Sequence, residues 1–191
     1  MTSMSGELSR KTSLRNSPIS TRLTWQEALP LVGLGAAIVV VTSVFDGSFK
    51  LPGHTGLAWL ALLMIGRTTS RYRWAAGVSS IGAAVVSTLP FWGFGDPLKW
   101  LIYLLVGLAL DVMFNLAPRW QYNVLFLTVI AGLAHAIKPL MRVGISAATG
   151  MQYSSLLSGV LYPLAMHVFF GLLGGLLGAG MVWAFRRMTK H

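Results

Sequence analysis

Cysteine is absent from this 191-residue chain, and acids are scarce: five Asp and Glu against fifteen Lys and Arg. With no thiol there is no disulfide, no thiolate zinc site and no cysteine nucleophile. Charged residues make up 10% of the chain, against about 25% in an ordinary soluble domain. The sequence also lacks a Gly-x4-Gly-Lys-Ser/Thr phosphate loop, a His-Glu-x-x-His helix and any cluster of carboxylates. ATP hydrolysis by the chain itself and metallopeptidase chemistry are therefore set aside, and no metal or cofactor is expected.

What is present is apolar. Hydrophobic residues reach 54%, and the mean hydropathy is +0.66. A soluble domain of this length has too little interior to hide that surface, which argues against an aqueous globular enzyme. The net charge of +10 does not gather on one face or tail, as it does in a nucleic-acid binder. It sits in short clusters between apolar runs, the pattern of a polytopic membrane protein.

Residues 1–24 read as a disordered basic cytoplasmic tail, although their Ser, Thr and Arg content resembles an organelle transit peptide. Residues 25–191 read as one transmembrane domain. Its apolar runs are Ala28–Val44, Gly56–Gly66, Trp74–Leu89, Pro97–Leu116, Tyr122–Ala136 and Leu156–Phe185. The last would be about 45 Å long as a helix, so a tilt, a kink near Pro163 or a protrusion is expected. The predicted fold is all-α, with six transmembrane helices. With the N-terminus inside, the inner segments carry eleven cations and the outer ones four, Lys50, Lys99, Lys138 and Arg142. That asymmetry predicts a bacterial inner-membrane protein with both termini cytoplasmic.

The three outer connections, Phe45–Thr55, Pro90–Lys99 and Ile137–Ser155, hold the unusual residues. The first contains Pro52-Gly53-His54 ahead of a short span, which predicts a loop dipping into the membrane. The second contributes Trp92, Asp96 and Lys99. The third contributes Lys138, Arg142, Gln152 and Tyr153. Inside the apolar runs, Asp111 and His167 each lie about eleven residues from the outer end of their helix, so the two could pair across the fourth and sixth helices. Tyr103, Gly107 and Asp111 share one face, and His135 sits near the outer end of the fifth helix. A bis-histidine haem would need two histidines at matching depth, and the boundaries read here put His135 and His167 about 9 Å apart in depth. Small residues at Gly33 and Ala37, and the overlapping Gly-x3-Gly patterns at Gly171/Gly175 and Gly174/Gly178, mark faces for close helix contact.

The layout, together with the stretches LPGHTGLAWLALLMIGRTTSRYRWAAG (51–77) and WGFGDPLKWLIYLLVGLALD (92–111), resembles the substrate-binding (S) component of an energy-coupling factor (ECF) transporter. The likeness covers roughly residues 28–187, and the chain lacks the N-terminal Met-His of the nickel and cobalt members. The resemblance implies a subunit that captures a vitamin-like micronutrient from outside without chemistry, beside a transmembrane coupling subunit and two cytoplasmic ATPases. It implies a substrate site among Trp92, Asp96, Lys99, Tyr103, Asp111, His135, Lys138, Arg142, Gln152, Tyr153 and His167. It further implies a gate at Pro52, Gly53 and His54, and a docking face at Gly33 and Ala37. The excess of outer cations favours an anionic ligand. The competing reading is a non-catalytic membrane subunit of a larger complex, such as a haem-associated one.

Overall fold

The computed structural model describes residues 20–46, 51–90, 96, 98–157 and 159–188. Trp92, Pro97, Lys50 and the first nineteen residues of the tail lie outside them. The fold is all-α, and the described residues form six α-helices: α1 (Trp25–Asp46), α2 (Gly56–Thr69), α3 (Ala75–Ser87), α4 (Lys99–Leu116), α5 (Val124–Thr149) and α6 (Leu161–Met188). Four of them, α1, α4, α5 and α6, are long and apolar enough to cross a membrane, whereas α2 and α3 are short. Leu29, Val44, Leu125, Leu161 and Phe169 are among many large apolar side chains on the outer surface. Arg67, Asp111, His135 and His167 are buried within. An apolar exterior around a partly polar interior is the arrangement that a bilayer favours.

Helix contacts close a ring in the order α1, α3, α4, α5, α6, α2 and back to α1, with α2 also touching α3 and α5. Small residues make the closest approaches possible. A side chain at Gly35 would run into the Ser79 carbonyl of α3, and one at Gly82 into the Val32 carbonyl of α1. The two glycine pairs of α6 divide their work: Gly171 and Gly175 lie against α5, Gly174 and Gly178 against α2. Nothing stands within 4 Å of a Cβ built on Gly33, which is exposed, as is Ala37.

One end of the bundle is tied by polar contacts. Asp111 of α4 stands 3.0 Å from Arg67 Nε of α2 and accepts from the Ala76 and Gly77 amides of α3 at 3.2 and 2.6 Å. Trp74, at the N-cap of α3, offers no side-chain cap. The carboxylate of a neighbouring helix takes that place and satisfies amides that apolar surroundings would leave stranded. Arg67 also lies over the Phe114 ring, and Asn115 Nδ2 donates to the Arg73 carbonyl. Ser20 pairs with the 71–73 turn, and Arg186 covers Tyr122 at 3.8 Å. Both ends of the described chain therefore lie at this same end of the bundle.

Two boundaries near the cavity differ most from the sequence reading. The fifth helix does not stop at Ala136; it passes through a buried Pro139 to Thr149, where Gly150 (φ 72°) closes it in a left-handed C-cap. The outer connection from Ile137 to Ser155 thus shrinks to residues 150–160, and Lys138 and Arg142 become helical. The sixth helix begins at Leu161, not Leu156, and a 3₁₀ turn covers Ser154–Leu156. Pro163 then falls in the first turn, where a missing amide proton breaks no helical bond, and it introduces no kink. At 28 residues α6 runs about 42 Å.

Replacing Asp111 by Ala leaves Arg67 buried without its partner and the α3 amides without their acceptor. It should destabilise the bundle by about 3–5 kcal/mol, measured by unfolding in lipid nanodiscs. The double variant Arg67→Met/Asp111→Leu should recover most of that loss, but not the capping contribution of about 1 kcal/mol. Gly35→Leu should abolish folding through its clash with α3, whereas Gly33→Leu should leave the unfolding midpoint within a few degrees of the parent chain.

Candidate functional site

At the opposite end from the Asp111 contacts, a cavity of about 320 Å³ opens among α1, α2, α4, α5 and α6. That volume is at the lower end of the roughly 300–1,000 Å³ typical of small-molecule sites. Of the residues singled out from the sequence, Asp96, Lys99, Tyr103, Lys138, Arg142 and His167 line it, together with Pro52, Gly53 and His54 of the 51–55 loop. They converge from segments far apart in the chain because α5 extends past Pro139. The extension places His135, Lys138 and Arg142, spaced i, i+3 and i+7, on a single helix face.

The 51–55 loop enters the bundle and does not merely cap it. Gly53 has φ 82°, and a Cβ there would stand 2.8 Å from His167 Cα. Only glycine combines that left-handed backbone with so close an approach. The Gly53 carbonyl accepts from the Gly56 amide at 2.8 Å and from His135 Nε2 at 3.1 Å. His54 Nδ1 donates to the Leu51 carbonyl at 2.6 Å. The contact with His167, six residues into α6, sits about 9 Å below the start of that helix.

Arg142 braces the rim. Its Nη2 lies 3.1 Å from Asp96, its Nη1 donates to Ser155 Oγ at 3.3 Å, and its guanidinium stands 5.2 Å from the centre of the Tyr153 ring. Burial, reinforced by the Asp96 carboxylate, raises the Tyr153 phenol above its ordinary value, with Arg142 opposing. The described lining residues hold three cations, Lys99, Lys138 and Arg142, and one carboxylate, Asp96, an excess of two positive charges.

Four of the expected site residues are placed differently. Asp111 lies with Arg67 at the other end of the bundle. Because α6 begins at Leu161, His167 is about 9 Å from its helix start while Asp111 is about 18 Å from that of α4, and the pairing left open for the two does not form. His135 is fully buried beneath the loop; its ring meets His167 at 4.9 Å between centroids and Trp59 edge-on at 5.5 Å. The two histidines lie at one depth in the bundle, contrary to the mismatch counted from the helix ends. Their rings stand in contact, which leaves no room for a porphyrin between them. Gln152 is exposed outside the cavity, and Tyr153 supports Arg142 from behind.

The structure also adds Thr42, Ser43, Thr55, Trp59, Ile102 and Ser155 to the lining. Trp59, in the first turn of α2, carried no signal, because a tryptophan near the end of a span reads as an interfacial anchor. Arg67 had a signal, because a buried acid requires a cation, but it was counted as a loop charge. The hydroxyls of Thr42 and Ser43 donate to the Ile38 and Val39 carbonyls within α1 and carried no signal.

His135→Phe keeps the packing volume but removes the donor to the Gly53 carbonyl. Hydrogen exchange of the 53–57 amides should speed up by about tenfold, as expected for losing one hydrogen bond of about 1–1.5 kcal/mol. Unchanged exchange would show that the loop is held by other contacts. No protein-family model, no curated protein and no solved structure matches the chain.

Proposed function

We propose that the chain is the substrate-capture subunit of an ECF-type uptake transporter, binding a small organic anion at its outer face without chemistry. The observation that carries this reading is the cavity: enclosed on several sides, rich in cations, and roofed by a loop pinned to α5 through a histidine hydrogen bond. The end of the bundle away from the cavity bears Arg22, Arg71, Arg73, Arg119, Arg186 and Arg187. By the positive-inside rule that end is cytoplasmic and the cavity opens outside. The two short helices then complete six spans, in a bilayer that thins locally around them.

Gly33 and Ala37 support a coupling partner. They form a small-residue face on α1 directed away from the bundle, so another helix can approach it closely. In this mechanism the loop opens to admit ligand and closes over it. A transmembrane coupling subunit docked on α1, energised by two cytoplasmic ATPases, then reorients the loaded protein towards the cytoplasm.

Native mass spectrometry of tagged protein, gently extracted from its own membrane, tests the reading. A bound micronutrient with a coupling subunit and two ATPases supports it. An empty chain among respiratory or haem subunits replaces it with the non-catalytic-subunit reading. Lys99→Ala and Lys138→Ala should each weaken anion binding roughly ten- to a hundredfold, the range for losing a charged hydrogen bond. Gly33→Leu should leave ligand binding intact and eliminate co-purification of the coupling subunit.

A further inference from the structure

Two nitrogens at the floor of the cavity have no partner among the described residues. Trp59 is 2% exposed; its indole is held edge-on by Tyr103 at 4.6 Å and His135 at 5.5 Å, and its Nε1–H donates to none of the described residues. His167 is equally buried, with Nδ1 2.7 Å from the Pro163 carbonyl. A carbonyl only accepts, so the proton sits on Nδ1 and the neutral ring presents a lone pair at Nε2, also without a partner. Both residues line the cavity. Buried donors and acceptors are ordinarily satisfied, so one of each kind in the same cavity wall describes the group that would satisfy them.

We propose that the cavity selects an elongated organic acid ending in an amide-type group, such as a lactam or cyclic urea. Its acid group lies between Lys99 and Lys138 at the rim. At the floor, its N–H donates to His167 Nε2 and its carbonyl accepts from Trp59 Nε1–H. This rests on the ligand-capture reading and specifies the chemistry that the site recognises. A simple fatty acid would satisfy the rim but leave both floor nitrogens stranded, and a site built around hydrogen bonds rejects such analogues strongly. A cationic ligand would meet the excess positive charge of the lining.

The test uses the full chain in nanodiscs, exposed separately to the anion-exchange and cation-exchange fractions of a protein-free yeast extract. Retained species are identified by native mass spectrometry. The expected result is an acid with an amide-type group from the anionic fraction that octanoate does not displace. Trp59→Phe keeps the aromatic packing and removes only the N–H, while His167→Leu removes the acceptor. Each should weaken retention on the order of tenfold or more. Unfolding midpoints verify that the variants fold, and Trp59→Phe decides alone if His167→Leu does not. A bound cation, retention unchanged in Trp59→Phe, or displacement by octanoate overturns the selectivity and leaves ligand capture standing. Retention of nothing from either fraction overturns both.

Discussion

Asp111 is the one fully buried carboxylate among the described residues, and three helices are arranged around it. Arg67 answers its charge, and the first-turn amides of α3 take up its remaining lone pairs. The benefit is mutual. α3 has no cap of its own, and in an apolar medium no water is available to supply one. The arginine lies in the last turn of α2, where the helix dipole favours a cation. One acid thereby holds α2, α3 and α4 in a fixed relation at this end of the bundle.

That anchor also explains why a cavity exists. α2 has only 14 residues, against 26 in α5 and 28 in α6. Held at its Arg67 end, α2 begins well below the rim of its longer neighbours and leaves a depression at the opposite end of the bundle. The 51–55 loop descends into it and reaches the two histidines. The base of the bundle is fixed by charge, whereas the loop over the cavity is held by neutral hydrogen bonds and the fit of one glycine. Regions that open to admit ligands are drawn from such weakly held segments. Within the proposed transport cycle this division is useful, because the loop can move without disturbing the helices beneath it.

The outward face of α1 contrasts with its inward face. Gly35 is consumed by contact with α3, while Gly33 faces open space two positions earlier. Helical rotation of about 100° per residue sets these two glycines about 200° apart, one in a packing position and one in an accessible one. Composition alone treats them as equivalent.

Much of this protein was legible without coordinates. Scarce acids, a high apolar fraction and cations confined to short clusters determine a helical membrane protein, because only helices or closed barrels satisfy their own backbone in lipid. Pro52-Gly53 ahead of a short span pointed to a descending loop, and most of the cavity's charged residues stood out as exceptions in an apolar chain. Local patterns were less reliable at Pro139 and Pro163, where proline reads as a breaker but the packing of α5 and the first-turn position of α6 accommodate it. Depth counted from those misplaced boundaries set Asp111 beside His167. Tertiary structure alone decided that Asp111 meets Arg67, that His135 meets His167, and that Trp59 joins the cavity. Helix periodicity specifies which residues share a face, but the partner of that face depends on how all six helices close their ring.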